Sequence, residues 1–243
     1  MRILILSIIV LSVATVGNAA VGVSASGSGN GAGATTCTIS SLTVGSGEVL
    51  YVGWATRTPT AVPTGLKWDA AGVNETVTAI SNRVFFSSTG DFGSAELVSP
   101  TAKTADVTIT WAGGVDSTCF AASLSGVIQQ TTEGENFDGG DGSVTFTNTS
   151  AANMVLCLGV DASVTCLDPG GAETELRQQC PGGVINHGSM LEWIEGPDPV
   201  ASQAYSVING SPDSILCTQY EAAGAVDTDM ILKELILKNV VVK

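Results

Sequence analysis

Six cysteines, one histidine and a few clusters of acidic residues are the side chains in this 243-residue chain with types and spacings suited to chemistry. The cysteines, Cys37, Cys119, Cys157, Cys166, Cys180 and Cys217, form an even set. Zinc would call for paired ligands at CxxC-like spacing, but no CxxC occurs and His187 is the single histidine. In an exported chain an even set reads instead as a disulfide framework, with all six thiols oxidised. Cys166 and Cys180 bracket the stretch CLDPGGAETELRQQC, in which Pro169, Gly170 and Gly171 let the chain turn back. They are predicted to bond to each other, and closing such a loop stabilises by roughly 3 kcal/mol in the chain-entropy view. Cys119, Cys157 and Cys217 lie in β-type runs, which predicts pairs that join strands, with Cys119 to Cys217 as the expected pairing.

Catalytic groups are harder to assemble. Serine-type nucleophilic chemistry needs a base, normally His, and a third group to orient it. His187 stands in INHGSML without any G-x-S-x-G, so it reads as a polar loop residue. Two carboxylates for glycoside hydrolysis could come from Glu192 and Glu195, or from Glu173 and Glu175. A sandwich strand carries solvated Glu at alternate positions anyway, so an enzyme is not expected, and a glycosidase-like hydrolase is the lesser alternative. The stretch ENFDGGDGSV places Glu135, Asp138 and Asp141 around a glycine-rich turn. Hard oxygen ligands of this kind can hold Ca²⁺, although EF-hand spacing is absent and a solvated acidic turn is the plainer reading. Asp116 and the pair Asp227 and Asp229 are weaker candidates.

Four tryptophans, Trp54, Trp68, Trp111 and Trp193, fall in or beside strand-like runs. Core packing accounts for them most simply. Trp68, Trp111 and Trp193 could instead form a sugar-stacking platform if exposed on one face. Asn74, Asn148 and Asn209 open N-x-S/T triplets, the pattern of N-glycosylation. In a chain this rich in Ser and Thr, such triplets are expected at about this frequency by chance.

Compartment follows from the first residues. Arg2 precedes the apolar run ILILSIIVLSVATV and the small residues GNAA, the layout of a secretory signal peptide cleaved after Ala19. The run is shorter than the roughly 20 residues that span a bilayer. The formal charge is −14, so nucleic acid and anionic membranes are not expected partners. With 44 % hydrophobic and only 13 % charged residues the chain has enough apolar matter for a core, and disorder is excluded.

From Cys37 onward, runs of about five to eight residues with period-two character alternate with Gly, Pro, Asp and Asn clusters. VLYVGWATR, DVTITWAG, CFAASLSGV and NMVLCLGVDA are typical. Ten or more strands and no long helix predict an all-β fold, an antiparallel β-sandwich of jelly-roll type. The expected organisation is a signal peptide over 1–19, a Gly/Ser-rich flexible lead-in over 20–36, the sandwich over 37–226 and an apolar extension over 227–243. AVGVSAS within the lead-in is also a possible edge strand. The extension, DTDMILKELILKNVVVK, is the most apolar part of the mature chain, and Lys233, Glu234 and Lys238 keep it from being a membrane span. It reads as a strand, added to its own sandwich or to the edge of a neighbouring subunit.

The order of SSLTVGSGEVLYVGWATR, TGLKWDAAG, SAELVSPTAKTADVTITWAGG and CFAASLSGVIQQTT resembles a broad group of secreted and phage-encoded lectin-like jelly-roll proteins. The likeness covers about residues 20 to 226, and Glu48 and Val49 stand where the group has Asn-Arg. It implies the same sandwich and a surface, adhesive or virion component, and it carries no catalytic motif. The chain is therefore expected to be an extracellular or cell-surface protein without catalytic activity, structural or adhesive, that self-associates or meets a glycan or cell-surface partner. Assembly into a filament or virion through terminal strands would suit it. A calcium-assisted carbohydrate-binding module is the alternative.

Overall fold

The computed structural model describes residues 20–58, 61–84, 90–136, 143–147, 152–161, 166–169, 174–180, 188–195, 202–208 and 213–223. They form fifteen strands and no helix, so no helix long and apolar enough to cross a membrane occurs among them. Every strand pairing is antiparallel. The result is the all-β antiparallel sandwich that the alternating runs predict.

The first sheet is built on two long strands, β1 (Gly22–Val44) and β7 (Lys103–Ser125), paired along their lengths. On the other side of β7, β3 (Gly65–Trp68) pairs with the lower part and β2 (Val49–Thr56) with the upper part. β4 (Glu75–Thr76) extends the sheet beyond β3, and β6 (Asp91–Val98) and β5 (Thr78–Val84) extend it beyond β2. The β1–β7 ribbon bends where its register slips, between Gly31 and Thr36. Bulges bend and twist a strand in this way. Gly33, at φ 56°, and Gly114 meet at the bend, where a β-carbon on Gly114 would strike the Gly33 carbonyl. The two arms of the sheet then face each other.

A second sheet has the order β12 (Thr174–Gln179), β13 (Gly188–Glu195), β10 (Met154–Asp161), β15 (Asp213–Ala222), β8 (Val127–Asn136). A third holds β11 (Asp168–Pro169), β14 (Ser202–Ile208) and β9 (Ser143–Thr147).

Three cores separate these layers. The first lies between the arms of the folded sheet and contains Ile39, Leu50, Val52, Trp54, Trp68, Ile109 and Trp111. The second joins the first sheet to the second through Tyr51, Phe92, Phe120, Leu124, Met154, Leu156, Leu158, Leu216 and Tyr220. The third, on the far side of β10 and β15, holds Val155, Cys157, Ile215 and Cys217 with Leu167. Alternation along single strands explains the stacking. In β2, Leu50, Val52 and Trp54 enter the first core and Val49, Tyr51 and Ala55 the second. In β10, Met154, Leu156 and Leu158 enter the second core while Val155 and Cys157 enter the third. Both strands are therefore buried at every position, the pattern of a strand covered on both faces. Completely burying a tryptophan such as Trp54 or Trp68 contributes roughly 4–6 kcal/mol from apolar area alone.

The segment 20–36 departs from the expectation of a flexible lead-in. Residues 22–36 belong to β1, and the glycines are there for close approach. A β-carbon on Gly27 would meet the Ile39 side chain, and one on Gly31 the Thr36 carbonyl at 2.9 Å.

The disulfides are Cys37–Cys119, Cys157–Cys217 and Cys166–Cys180. The last is the predicted local bond. The expected pairing of Cys119 with Cys217 is corrected. Cys119 points into the first core and Cys217 into the third, with the middle core between them. Cys37 reaches Cys119 because the arms of the first sheet fold over one another, and Cys157 stands directly opposite Cys217 in the ladder.

Candidate functional site

Of the tryptophans assigned to a sugar platform, Trp68 is 0 % and Trp111 3 % exposed. Trp68 donates its indole N–H to the Thr101 carbonyl at 3.2 Å. Neither offers a face to solvent, so the platform reading is corrected for both. Apolar ring area gains more in the core than on the surface. Trp193 has its backbone in β13, and its side chain lies outside the described residues. The same holds for Glu135 in β8, whereas Asp138, Asp141, His187, Glu173, Asn148, Asn209 and the segment 227–243 lie wholly outside them. Asn74 is exposed at a turn with φ 55°. Glu192 and Glu195 have their backbone in β13, and their side chains lie outside the described residues. The ladder sets Glu175 opposite Glu192.

Two carboxylates missed in the sequence organise the surface of the first sheet. Glu48, in the turn between β1 and β2, accepts hydrogen bonds from Ser24 Oγ and the Gly45 amide, each at 2.6 Å, and from Ser123 Oγ. Burial works to raise its pKa, but the bonds from Ser123, Ser24 and Gly45 together hold it below the usual glutamate range. Asp69 follows β3 at φ 50° and accepts from Lys103 Nζ at 2.5 Å and the Val73 amide at 2.8 Å. Lys103 first, then the Val73 amide, keeps it ionised at lower pH than an ordinary aspartate. Asp69 and Lys103 line a shallow cavity of about 300 Å³ with Asp106. Asp106 is already occupied, accepting the Ser41 amide at 2.9 Å.

A second cavity, of about 270 Å³, opens where the β1–β7 ribbon bends, against Thr58, Ala61, Val62, Trp111, Gly113 and Val115. At the end of β2 the first core turns polar. Asp91 and Ser117 flank Thr56 on the two neighbouring strands, and Trp54 is the next residue of β2 on the same face. All four of these are buried. The indole N–H groups of Trp54 and, in the same core, of Trp111, the Ser117 hydroxyl and both Asp91 carboxylate oxygens close no hydrogen bond of ordinary geometry. Burial pushes the Asp91 pKa up, and the Ala61 amide, aimed at the carboxylate, opposes it only in part. Buried polar groups are nearly always paired, and outside this corner Glu96 Oε2 and Thr218 Oγ1 also lack a partner.

The outer edge of β1 is the second unusual surface. β1 pairs with β7 alone, so its other edge has no strand beside it among the described residues. Near its start, side chains of β12 reach across: Arg177 donates to the Ser26 carbonyl at 2.8 Å, and Gln179 to Ser28 Oγ at 2.9 Å. Glycine at every second position, Gly27, Gly29 and Gly31, was the signal in the sequence for this strand. No protein-family model, curated protein or solved structure matches the chain.

Proposed function

We propose that this is an exported structural or adhesive surface protein without catalytic activity, a repeating subunit joined to its neighbours by strand addition. The observation that carries the reading is the long outer edge of β1, without a strand partner among the described residues. An edge of this kind is a template for a further strand. The occupant we assign is the segment 227–243 of a neighbouring copy, whose Ile236, Leu237, Val240, Val241 and Val242 supply the apolar side chains. The construction suits such a role. Three disulfides fit folding in an oxidising compartment, and three stacked cores give a body that resists local opening.

Deleting residues 228–243 tests it. The expected product is a folded monomer by size-exclusion chromatography, while the full chain assembles and is seen as oligomers or filaments by negative-stain microscopy. A full-length chain that is strictly monomeric at high concentration, or a truncated chain that fails to fold, would overturn the proposal.

A further inference from the structure

We infer that the seam between β1 and β12 is where the neighbour's strand enters, antiparallel to both, an inference that rests on the strand-addition reading above. Two sets of contacts fix the direction of the seam. Arg177 bonds Ser26, Gln179 bonds Ser28, and Asn30 donates to Gln179 at 3.2 Å, so the numbers rise together along the two strands. The second sheet agrees. Gln179 stands opposite Ser189, the Ser189 hydroxyl bonds that of Thr118 at 2.8 Å, and Thr118 stands opposite Asn30. β1 and β12 therefore run side by side in the same direction, and side chains alone close the seam, without a ladder. The ladders among the described residues are all antiparallel. One strand running the opposite way would pair antiparallel with each lip and join the first sheet to the second.

The lips call for apolar side chains. Val23 on one and Leu176 on the other are half-buried at the rim of the second core. Ser26 and Ser28 stand opposite Ala122 and Phe120 of that core, and being small they leave room beside them. Val240 and Val242 of the segment 227–243 would share one face of an extended strand and suit that rim. The geometry favours a second copy as the donor. The last described residue, Ala223, bonds the Gly126 carbonyl, one residue beyond the pair of Ser125 with Gly22. A chain's own segment thus departs from the Gly22 end and would follow both lips in their own direction, and parallel pairs are slightly less stable. A neighbour's segment can enter from the Asn30 end. The side-chain bonds act as a latch. An inserted strand needs its two neighbours about 9–10 Å apart, two strand spacings, so Arg177 and Gln179 must first let go of Ser26 and Ser28.

Hydrogen exchange read by mass spectrometry tests this on the full-length chain, comparing dilute monomer with assembled material. Amides of residues 22–31 and 174–179 are expected to slow about tenfold or more on assembly, while those of 36–44 exchange as before. Replacing Arg177→Ala and Gln179→Ala together removes the latch and should speed assembly roughly tenfold. An unchanged or slower rate in a folded double variant would overturn the latch, and if that variant does not fold, the exchange data on the unmodified chain decide. Assembly that protects 36–44 and leaves 174–179 unchanged would overturn the inference while strand addition to β1 stands. A seam already protected in the dilute monomer would mean that the chain's own segment fills it, which also overturns the inference. A chain that never assembles would remove both this inference and the reading it rests on.

Discussion

Gly29 and Thr38 lie back to back across the folded β1 strand, so close that a β-carbon on Gly29 would strike the Thr38 carbonyl oxygen. The contact is between backbones, and no side-chain rotation relieves it. Gly29→Ala is expected to lose about 1–3 kcal/mol through overpacking, several degrees in Tm for a chain of this size. Gly113→Ala, where the new carbon meets open space, should stay within about 0.5 kcal/mol of wild type. Equal losses in thermal unfolding would show that close approach is not what Gly29 serves.

The three disulfides should differ in their resistance to reduction. Cys166 and Cys180 are exposed, whereas Cys37, Cys119, Cys157 and Cys217 are all 0 % exposed. Mild reductant followed by alkylation and peptide mapping is expected to label Cys166 and Cys180 first. Replacing Cys37 and Cys119 together by Ala should cost more, about 4–5 kcal/mol against about 3 for the short loop, because the bond closes a separation of 82 residues rather than 14.

Stability should fall in acid partly through Glu48. Its folded pKa lies below the ordinary glutamate value of 4.5, so its contribution is complete above that value and is lost as pH drops through the folded pKa. Glu48→Gln is expected to cost about 1–2 kcal/mol at neutral pH. Denaturant curves for the variant and the wild type should converge as pH falls below the carboxylate range. A gap that persists undiminished at the lowest pH would mean that the charge of Glu48 is irrelevant.

Asp91 should behave in the opposite sense. Its pKa is raised, so the ionised group opposes folding once pH rises above the ordinary aspartate value of 3.8. Asp91→Asn should therefore raise Tm at pH 7 relative to wild type, by an amount that shrinks towards acid pH. A lower Tm at neutral pH would mean that the carboxylate has a stabilising partner.

Much of the architecture was legible because period-two alternation is a local property. VLYVGWAT and NMVLCLGVDA announced strands, and from Val49 to Ala55 and from Met154 to Val160 apolar residues fill both parities, the pattern of a strand covered on both faces. The lead-in was misread because Gly and Ser were taken as composition rather than as spacing. Glycines two apart fill one face of a strand, which only makes sense if another backbone lies against it. Cys37 could not be paired from sequence, since its partner is fixed by the folding over of the sheet. The polar corner was invisible for the same reason: Trp54, Asp91, Trp111 and Ser117 come from three strands and share no spacing.

The pairing of β1 with β7 also sets an order in time. Gly22 finds its partner at Ser125, and Val44 finds its partner at Lys103. As the chain emerges from its first residue onward, β1 therefore has no ladder to join until residues 103–125 have followed. Until then Ile39, Leu42 and Val44 stay in water, and Cys37 stays a thiol awaiting Cys119. Contacts this distant along the chain slow folding. During the delay the first strand is open to the wrong cysteine and the wrong edge. The polar and glycine residues scattered through β1 keep that waiting strand from sticking to others.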